Sequence, residues 1–262
     1  MKVPKSAIVV PTLGRRPEFL TECLESIRAS GVAYVRLVAP SGYKPPPAVD
    51  ALIDEIVSDP GQGLAHAINY GFQGLPLEIQ YLNWLGDDDR LSPNGLAILE
   101  SVLDGEPKTQ LVFGGCSYID ETGRVLFVNK PGSWAKWLLA FGPQLISQPA
   151  LLFRRSLFDE LGGLDESLNF AFDLDLLLTA KKIGRIACVQ QITASFRWHN
   201  DSLTVGSRQK SVREASKVRQ RYLPMALRKL SILWEPIVRN LILVAGVLIT
   251  SLVKHRAHNE RQ

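Results

Sequence analysis

A short apolar run that ends in a break rich in Pro, Gly or Asp recurs four times in the first 90 residues, with helical spacing between runs. Ala7 to Val10 leads into Pro11-Thr12-Leu13-Gly14-Arg15-Arg16. Pro17 suits the first turn of a helix, and Phe19, Leu20, Cys23, Leu24 and Ile27 recur at helical spacing until Gly31. Tyr34 to Ala39 reads as a second strand before a Pro-rich loop, and Glu55 to Ser58 as a third, ending at Asp59-Pro60-Gly61-Gln62-Gly63. A helix over 64–72 and a fourth strand over 79–85 follow. Strands alternating with helices at this rhythm imply parallel βαβ units, hence an α/β fold with a mostly parallel sheet and helices on both faces. Ligands of such folds bind outside the carboxyl ends of the strands. The Gly-rich and acidic breaks all fall on that edge.

The fourth strand runs into Leu85-Gly86-Asp87-Asp88-Asp89-Arg90-Leu91. Adjacent carboxylates repel by about 1 kcal/mol per pair even in water, so the cluster needs solvent or a counter-charge. A hard divalent cation supplies one, since Mg2+ and similar ions take carboxylate oxygens together with substrate phosphates. The alternative is an acidic turn capping a helix that begins near Pro93.

Beyond a helix from Pro93 to Leu103 the pattern changes. Leu111 to Ile119, a turn at Asp120-Glu121-Thr122-Gly123 and Arg124 to Asn129 form an antiparallel hairpin. Ser133 to Phe141 and Asn169 to Ile183 read as helices, and Pro149 to Arg154 and Ile186 to Trp198 as strands. From Arg208 onward the chain carries 12 Lys/Arg against 3 Asp/Glu, leaving 18 against 23 before it. The body is therefore mildly acidic and the tail basic. Within that tail Leu241 to Val253 is apolar, shorter than the roughly 20 residues of a spanning helix, and Glu235, Pro236 and Arg239 spoil its upstream extension.

Three cysteines, Cys23, Cys116 and Cys188, stand far apart, which suggests neither a disulfide framework nor a zinc site and fits a reducing cytosol. The apolar run within Met1 to Val10 is too short for a signal-peptide core.

Taken in order, several segments resemble the family 2 glycosyltransferases of GT-A (Rossmann-like) fold, of the bacterial polysaccharide or glycolipid type. They are Ile8-Val9-Val10-Pro11-Thr12, Gly63 to Gly71, Trp84-Leu85-Gly86-Asp87-Asp88-Asp89, Gly162 to Leu168, Phe172-Asp173-Leu174-Asp175-Leu176, and Phe196-Arg197-Trp198-His199 before Ser202-Leu203-Thr204. The resemblance covers roughly residues 6 to 222. It implies an inverting hexosyltransferase that moves a sugar from a nucleotide-diphosphate sugar, a UDP-sugar ahead of a GDP-sugar, to a hydroxyl of a glycan or lipid-linked acceptor.

By resemblance, Asp89 is the ligand of Mn2+ or Mg2+, and Asp87 and Asp88 contact ribose or metal-bound water, with a helix cap as the other reading of Asp88. Asp173 is the general base; only one of Asp173 and Asp175 can face a given site, because residues two apart on a helix point about 200° from one another. Their other reading is favourable placement in a helix's first turns. His199 approaches the metal or diphosphate, or is a packed residue. Arg197 binds phosphate or pairs with a surface carboxylate, and Asp175 is a further possible contact. Pro11 and Thr12 meet the nucleotide base. Relatives carry an Asp that reads uracil after the second strand; here Ala39-Pro40-Ser41-Gly42 stands there, and Asp59 is the candidate substitute. Asn69 supports the site from behind its contact residues or touches the nucleotide, or is an ordinary helix-surface residue. Trp134, Trp137 and Phe141 build an acceptor wall or belong to the core.

This reading divides the chain into a catalytic domain over 1–207, its nucleotide-binding half at about 1–105 and acceptor half at about 106–207, and a basic helical tail over 208–262. Basic residues flanking an apolar segment suit peripheral contact with an anionic membrane, so the expectation is a cytoplasmic enzyme at the inner face of the cell membrane. Packing on the domain or a homodimer contact are the other fates of that run. Nucleic acid is not expected as a partner, since the basic residues lack interleaved aromatics. A dehydrogenase is excluded because no Gly-x-Gly-x-x-Gly follows the first strand. A catalytically degenerate scaffold at the membrane and a metal-dependent phosphohydrolase are the competing classes.

Overall fold

The computed structural model describes residues 3–199 and 207–259. The Ser202-Leu203-Thr204 motif, and the side chains of the basic cluster Lys254-His255-Arg256, lie outside what it describes. A sheet of nine strands forms the centre, in the order β3-β2-β1-β4-β8-β6-β9-β5, with β7 paired to β6. The strands are β1 (Ser6–Pro11), β2 (Ala33–Ala39), β3 (Glu55–Ser58), β4 (Tyr81–Trp84), β5 (Arg90–Leu91), β6 (Thr109–Ile119), β7 (Val125–Asn129), β8 (Leu151–Arg154) and β9 (Arg185–Arg197). The pairings of β1 with β2 and β4, of β2 with β3 and of β6 with β9 are parallel. β8 is antiparallel to both β4 and β6, so β1, β2, β3, β4, β6 and β9 run one way and β5, β7 and β8 the other. A mostly parallel sheet with helices on both faces is what the alternation predicts.

Alternating side chains of β1 explain why helices cover both faces. Ala7 and Val9 enter one core and Ile8 and Val10 the other, because successive strand residues point to opposite sides. Helix α1 (Pro17–Ser30) buries Leu20, Cys23, Leu24 and Ile27 on the Ile8 side. The short α2 (Pro47–Asp50) buries Val49 there too. Helix α3 (Leu64–Phe72) lies on the Val9 side, so close that a Cβ on Gly71 would sit 2.5 Å from Val9 Cγ1. Only glycine admits that approach.

Several boundaries move inward from the sequence reading. Helix α4 (Gly95–Gly105) starts after Asn94, which takes a left-handed φ of 58°, rather than at Pro93. The helix expected over Ser133 to Phe141 shrinks to α5 (Ala135–Leu138), and α7 begins at Phe172 and ends at Ile183. Between them α6 (Arg155–Leu161) ends at Gly162, whose φ of 70° closes the helix. β5 was not visible in the sequence, for two residues carry no periodicity; it pairs Arg90 and Leu91 with Ser195 and Ala194.

The tail comprises α8 (Arg208–Tyr222) and α9 (Met225–Asn259). Val218 and Leu223 belong to the larger core. A buried ion pair joins the two helices, with Arg219 Nε 2.7 Å and Nη2 3.0 Å from the two carboxylate oxygens of Glu235. Over Met225–Leu248 α9 is long and apolar enough to cross a membrane, yet only 17% of that stretch is buried. Glu235 and Pro236, which look disruptive in the sequence, face α8 or its groove.

Candidate active site

The acidic turn sits where β4 leaves the sheet, beside the end of β1. Thr12 donates through its hydroxyl to Asp87 Oδ2 at 2.5 Å, and Thr12 Oγ1 in turn accepts the Gly14 amide at 3.0 Å. Burial pushes the Asp87 carboxyl up; the Thr12 hydrogen bond opposes this and the neighbouring Asp88 charge adds to it. Asp89 is buried, and its Oδ1 accepts the Arg197 amide at 2.9 Å. Burial, then the charge of Asp88, raise Asp89 well above the usual carboxylate range. The field reaches α1, where burial and then Asp89, Asp87 and Asp88 raise the Cys23 thiol.

Gly86 marks where the carboxylates converge. A Cβ placed on it would lie 2.9 Å from Asp88 Oδ1 and 3.1 Å from Asp89 Oδ2, so two carboxylate oxygens share the space above this residue. Among the described residues no group of three ligand-type side chains closes on one point. Two converging oxygens fit a hard divalent cation that draws its remaining ligands from substrate phosphates and water.

Asp88 is not a cap for α4: its Oδ2 is bonded to His199 Nε2, and Arg16 Nη1 lies 3.8 Å away. Arg16 Nη1 also lies over the edge of the His199 ring, 3.2 Å from Nδ1 and 2.9 Å from Nε2. His199 is thus buried beside the triplet, held by Asp88 rather than packed in an apolar setting.

Of the two readings of Arg197, the structure shows the pairing with a partly exposed carboxylate, Glu22, and not the phosphate contact. Its guanidinium is fully buried, so no phosphate reaches it. Nε donates to Asp88 O at 2.9 Å, Nη1 to Asp120 O and Glu121 O at 3.2 and 2.8 Å, and Nη2 to Glu22 Oε2 at 2.6 Å. The group also lies 4.2 Å over the Phe19 ring. It locks the acidic turn to α1 and to the β6–β7 turn.

Two further side chains are likewise committed to partners within the chain. Asn69 is neither nucleotide-facing nor on a helix surface. Its Nδ2 donates to Leu164 O at 2.9 Å and Glu166 Oε1 at 2.8 Å, and its Oδ1 accepts the Leu164 amide at 2.8 Å, so the carboxamide clamps the Gly162 to Leu168 loop. Asp175 turns toward α8, where Tyr222 donates to its Oδ1 at 2.9 Å.

Asp173, on the first turn of α7, points elsewhere, as the 200° rule requires. Its Oδ2 accepts from Gln144 Nε2 at 2.7 Å and its Oδ1 from the Leu174 amide at 2.7 Å. Burial pushes its carboxyl up; the hydrogen bonds of Gln144 and Leu174 oppose this, and the charge of Glu214 reinforces it. The preceding Phe172 packs against Trp84 of β4, ring centroids 5.8 Å apart, which brings the start of α7 to the strand that delivers the triplet. Gln148 completes the link, donating to Trp84 O at 2.8 Å.

Glu214, on α8, holds the other side. Its carboxylate accepts the amides of Asn169, Phe170 and Ala171 at 3.1, 2.6 and 2.8 Å, the three residues before α7. Replacing it by Gln removes the charge and one good acceptor. Glu214→Gln is expected to lower thermal stability and to move the titration of Asp173 toward lower pH, as read by carboxyl NMR; an unmoved titration would show that the charge does not reach Asp173.

Pro11 ends β1 beside Thr12, and Asp59 directly follows β3, its Oδ1 accepting the Gly61 amide at 2.8 Å. Tyr43, in the loop expected to be merely exposed, lies over Gly14, and Asp87 adds to the burial that raises its hydroxyl. Trp134 and Trp137 are 54% and 62% exposed, so they are not core. Lys181 Nζ stands 4.7 Å over the Trp137 ring, and Phe141 meets Trp234 of α9 at 6.3 Å. Arg16, Tyr43, Gln144, Gln148 and Glu214 carried no sequence signal, since each acts through a neighbour distant in the chain.

No family model matches the sequence. Proteins curated as uncharacterized glycosyltransferases of Rickettsia felis and Rickettsia typhi are 30% and 28% identical over 146 and 149 residues, covering 53% and 54% of this chain but 24% and 46% of their own length. The chain thus spans less than half the length of these relatives. Among solved structures, residues 1–349 of S. aureus TarS in complex with UDP-GlcNAc superpose with TM-score 0.62 at 13% identity, covering 87% of this chain and 70% of that one. Mannosyltransferase PcManGT from Pyrobaculum calidifontis, in complex with GDP-Man and Mn2+, gives TM-score 0.61 at 15% identity over 100% of this chain and 82% of the other. The resemblance read from the sequence is borne out in the names of these relatives and in the GT-A fold.

Proposed function

We propose that the protein is an inverting glycosyltransferase that moves a sugar from a nucleoside-diphosphate sugar, UDP ahead of GDP, to a hydroxyl of a glycan or lipid-linked acceptor. The observation that carries this reading is the separation of two carboxylate centres held by different parts of the fold. One is the acidic turn, where Asp88 Oδ1 and Asp89 Oδ2 converge over Gly86. The other is Asp173, fixed by Gln144 on α7. A single displacement needs this division, because the leaving group and the attacking hydroxyl occupy opposite faces of the sugar.

Asp88 and Asp89 would hold Mn2+ or Mg2+, which when bound neutralises charge on the diphosphate. Pro11, Thr12, Tyr43 and Asp59 line the strand edge that would receive the nucleoside. Thr12 fixes one oxygen of Asp87, leaving the other for ribose. Asp173 would take the proton of the acceptor hydroxyl, and its raised pKa suits a base that must later release that proton. Trp134 and Trp137 offer apolar faces to an acceptor. The exposed side of α9 would lie on the inner face of the cell membrane, with its apolar residues in the headgroup boundary.

The test is a screen of UDP- and GDP-sugars with Mn2+ or Mg2+, scored for nucleotide release and product anomer. Turnover with one donor class is expected, and Asp89→Ala should lower it by roughly 10²–10³. A product of retained configuration would refute the inverting step. Donor binding without turnover under any condition would favour a scaffold.

A further inference from the structure

Arg16 holds the N-cap position of α1, its carbonyl accepting the Leu20 amide at 3.1 Å. The helix therefore sets its backbone, while its side chain reaches across to the acidic turn. Nη1 stands 3.8 Å from Asp88 Oδ2 and 2.9 Å from His199 Nε2. The Phe19 ring carries two guanidiniums, Arg197 at 4.2 Å and Arg16 at 5.7 Å from its centroid. These two arginines differ in what can reach them. Arg197 is fully buried and committed to Glu22 and three carbonyls, whereas the Arg16 side chain is 30% exposed.

The two oxygens of Asp88 face different cations. Oδ1 shares the space over Gly86 with Asp89 Oδ2, where a divalent ion fits, and Oδ2 faces Arg16 and His199. One carboxylate thus separates the metal position from a guanidinium. Like charges so close repel, and more strongly where water is partly excluded. A diphosphate on the ion reverses the balance. Its oxygens bring negative charge to the same place, and a guanidinium meets two phosphate oxygens at once through parallel N–H donors. We infer that Arg16 is a diphosphate-binding residue, whose charge opposes the metal alone and favours the metal together with a nucleoside diphosphate. The inference rests on the proposed function and makes cation and donor bind as a pair, each tightening the other.

Mn2+ affinity of the full chain is measured by electron paramagnetic resonance without nucleotide, and UDP affinity by calorimetry at saturating Mn2+, with GDP in its place if the donor screen selects guanine. Arg16→Gln tightens Mn2+ alone by about fivefold or more, because a repelling charge is gone. The same change weakens the diphosphate by about tenfold, the loss of one charge-assisted hydrogen bond. These opposite signs separate the role from a structural one, since a disordered loop weakens both. Arg16→Lys keeps the charge and loses the fork, so Mn2+ affinity stays within about twofold and diphosphate binding is only partly recovered. Arg15→Gln, which removes the same charge from the exposed neighbouring position, shifts Mn2+ affinity by less than about twofold. Mn2+ binding that Arg16→Gln leaves unchanged or weakens, or an equal response to Arg15→Gln, overturns the inference. If the unsubstituted protein binds neither UDP nor GDP, the proposed function falls and the inference with it. If it binds one of them and Arg16→Gln leaves that affinity unchanged, the role of Arg16 falls alone.

Discussion

Asp173→Asn is expected to reduce sugar transfer by about 10²–10⁴ while leaving donor binding intact, the range a positioned general base contributes. The substitution keeps the volume and the acceptor oxygen but cannot take a proton. With the one Asn oxygen accepting the Leu174 amide, the new NH2 faces Gln144, whose carboxamide must turn over to accept from it. Donor affinity by calorimetry and single-turnover transfer separate the two effects. Because burial raises the Asp173 carboxyl, the acid limb of kcat/KM in the unsubstituted protein should fall above the pH at which an ordinary aspartate titrates. The sign follows directly: a base acts when deprotonated, and a raised pKa means that state is lost at higher pH. Full transfer by Asp173→Asn would remove this residue from the mechanism without touching the donor site.

Arg197→Leu should cost about 3–5 kcal/mol of folding stability, the penalty for removing one partner from a buried charged network. The change leaves the carbonyls of Asp88, Asp120 and Glu121 and the carboxylate of Glu22 without their shared donor. Arg197→Lys should recover only part, because an ammonium cannot reproduce a planar fork that serves four oxygens. Chemical denaturation gives the loss directly. A change within about 0.5 kcal/mol, the usual range at neutral surface sites, would contradict the clamp.

Arg197 also shows where sequence reading stops. Its place in the Phe196-Arg197-Trp198-His199 motif left phosphate and a surface carboxylate both open as partners, whereas the fold sends its side chain inward across α1 and the β6–β7 turn to meet Glu22 and three carbonyls at once. The alternating strands and the acidic turn were legible because they depend on local periodicity and on charges adjacent in the chain. The opposed directions of Asp173 and Asp175 followed from helix geometry alone. Which residues Asn69 holds was not legible, because its partners at 164 and 166 are nearly a hundred residues away and pairing at that distance leaves no pattern in a single sequence. The same holds for Glu214, whose acidic side chain in a basic helix looks incidental until the amides of 169–171 are seen around it. Glu235 is the reverse case. It looked like an interruption of an apolar stretch, yet its charge is matched by Arg219.

The cap that Glu214 places on the start of α7 sets an order of assembly during synthesis. The strands that carry Thr12 and the acidic turn pair within the first 100 residues and can form as the chain emerges. The loop before Asp173 finds its acceptor only when residue 214 has been made and α8 has docked through Val218 and Leu223. A nascent chain halted short of α8 would therefore hold a formed acidic turn beside an unanchored Asp173, keeping the proposed reaction silent until that helix is in place.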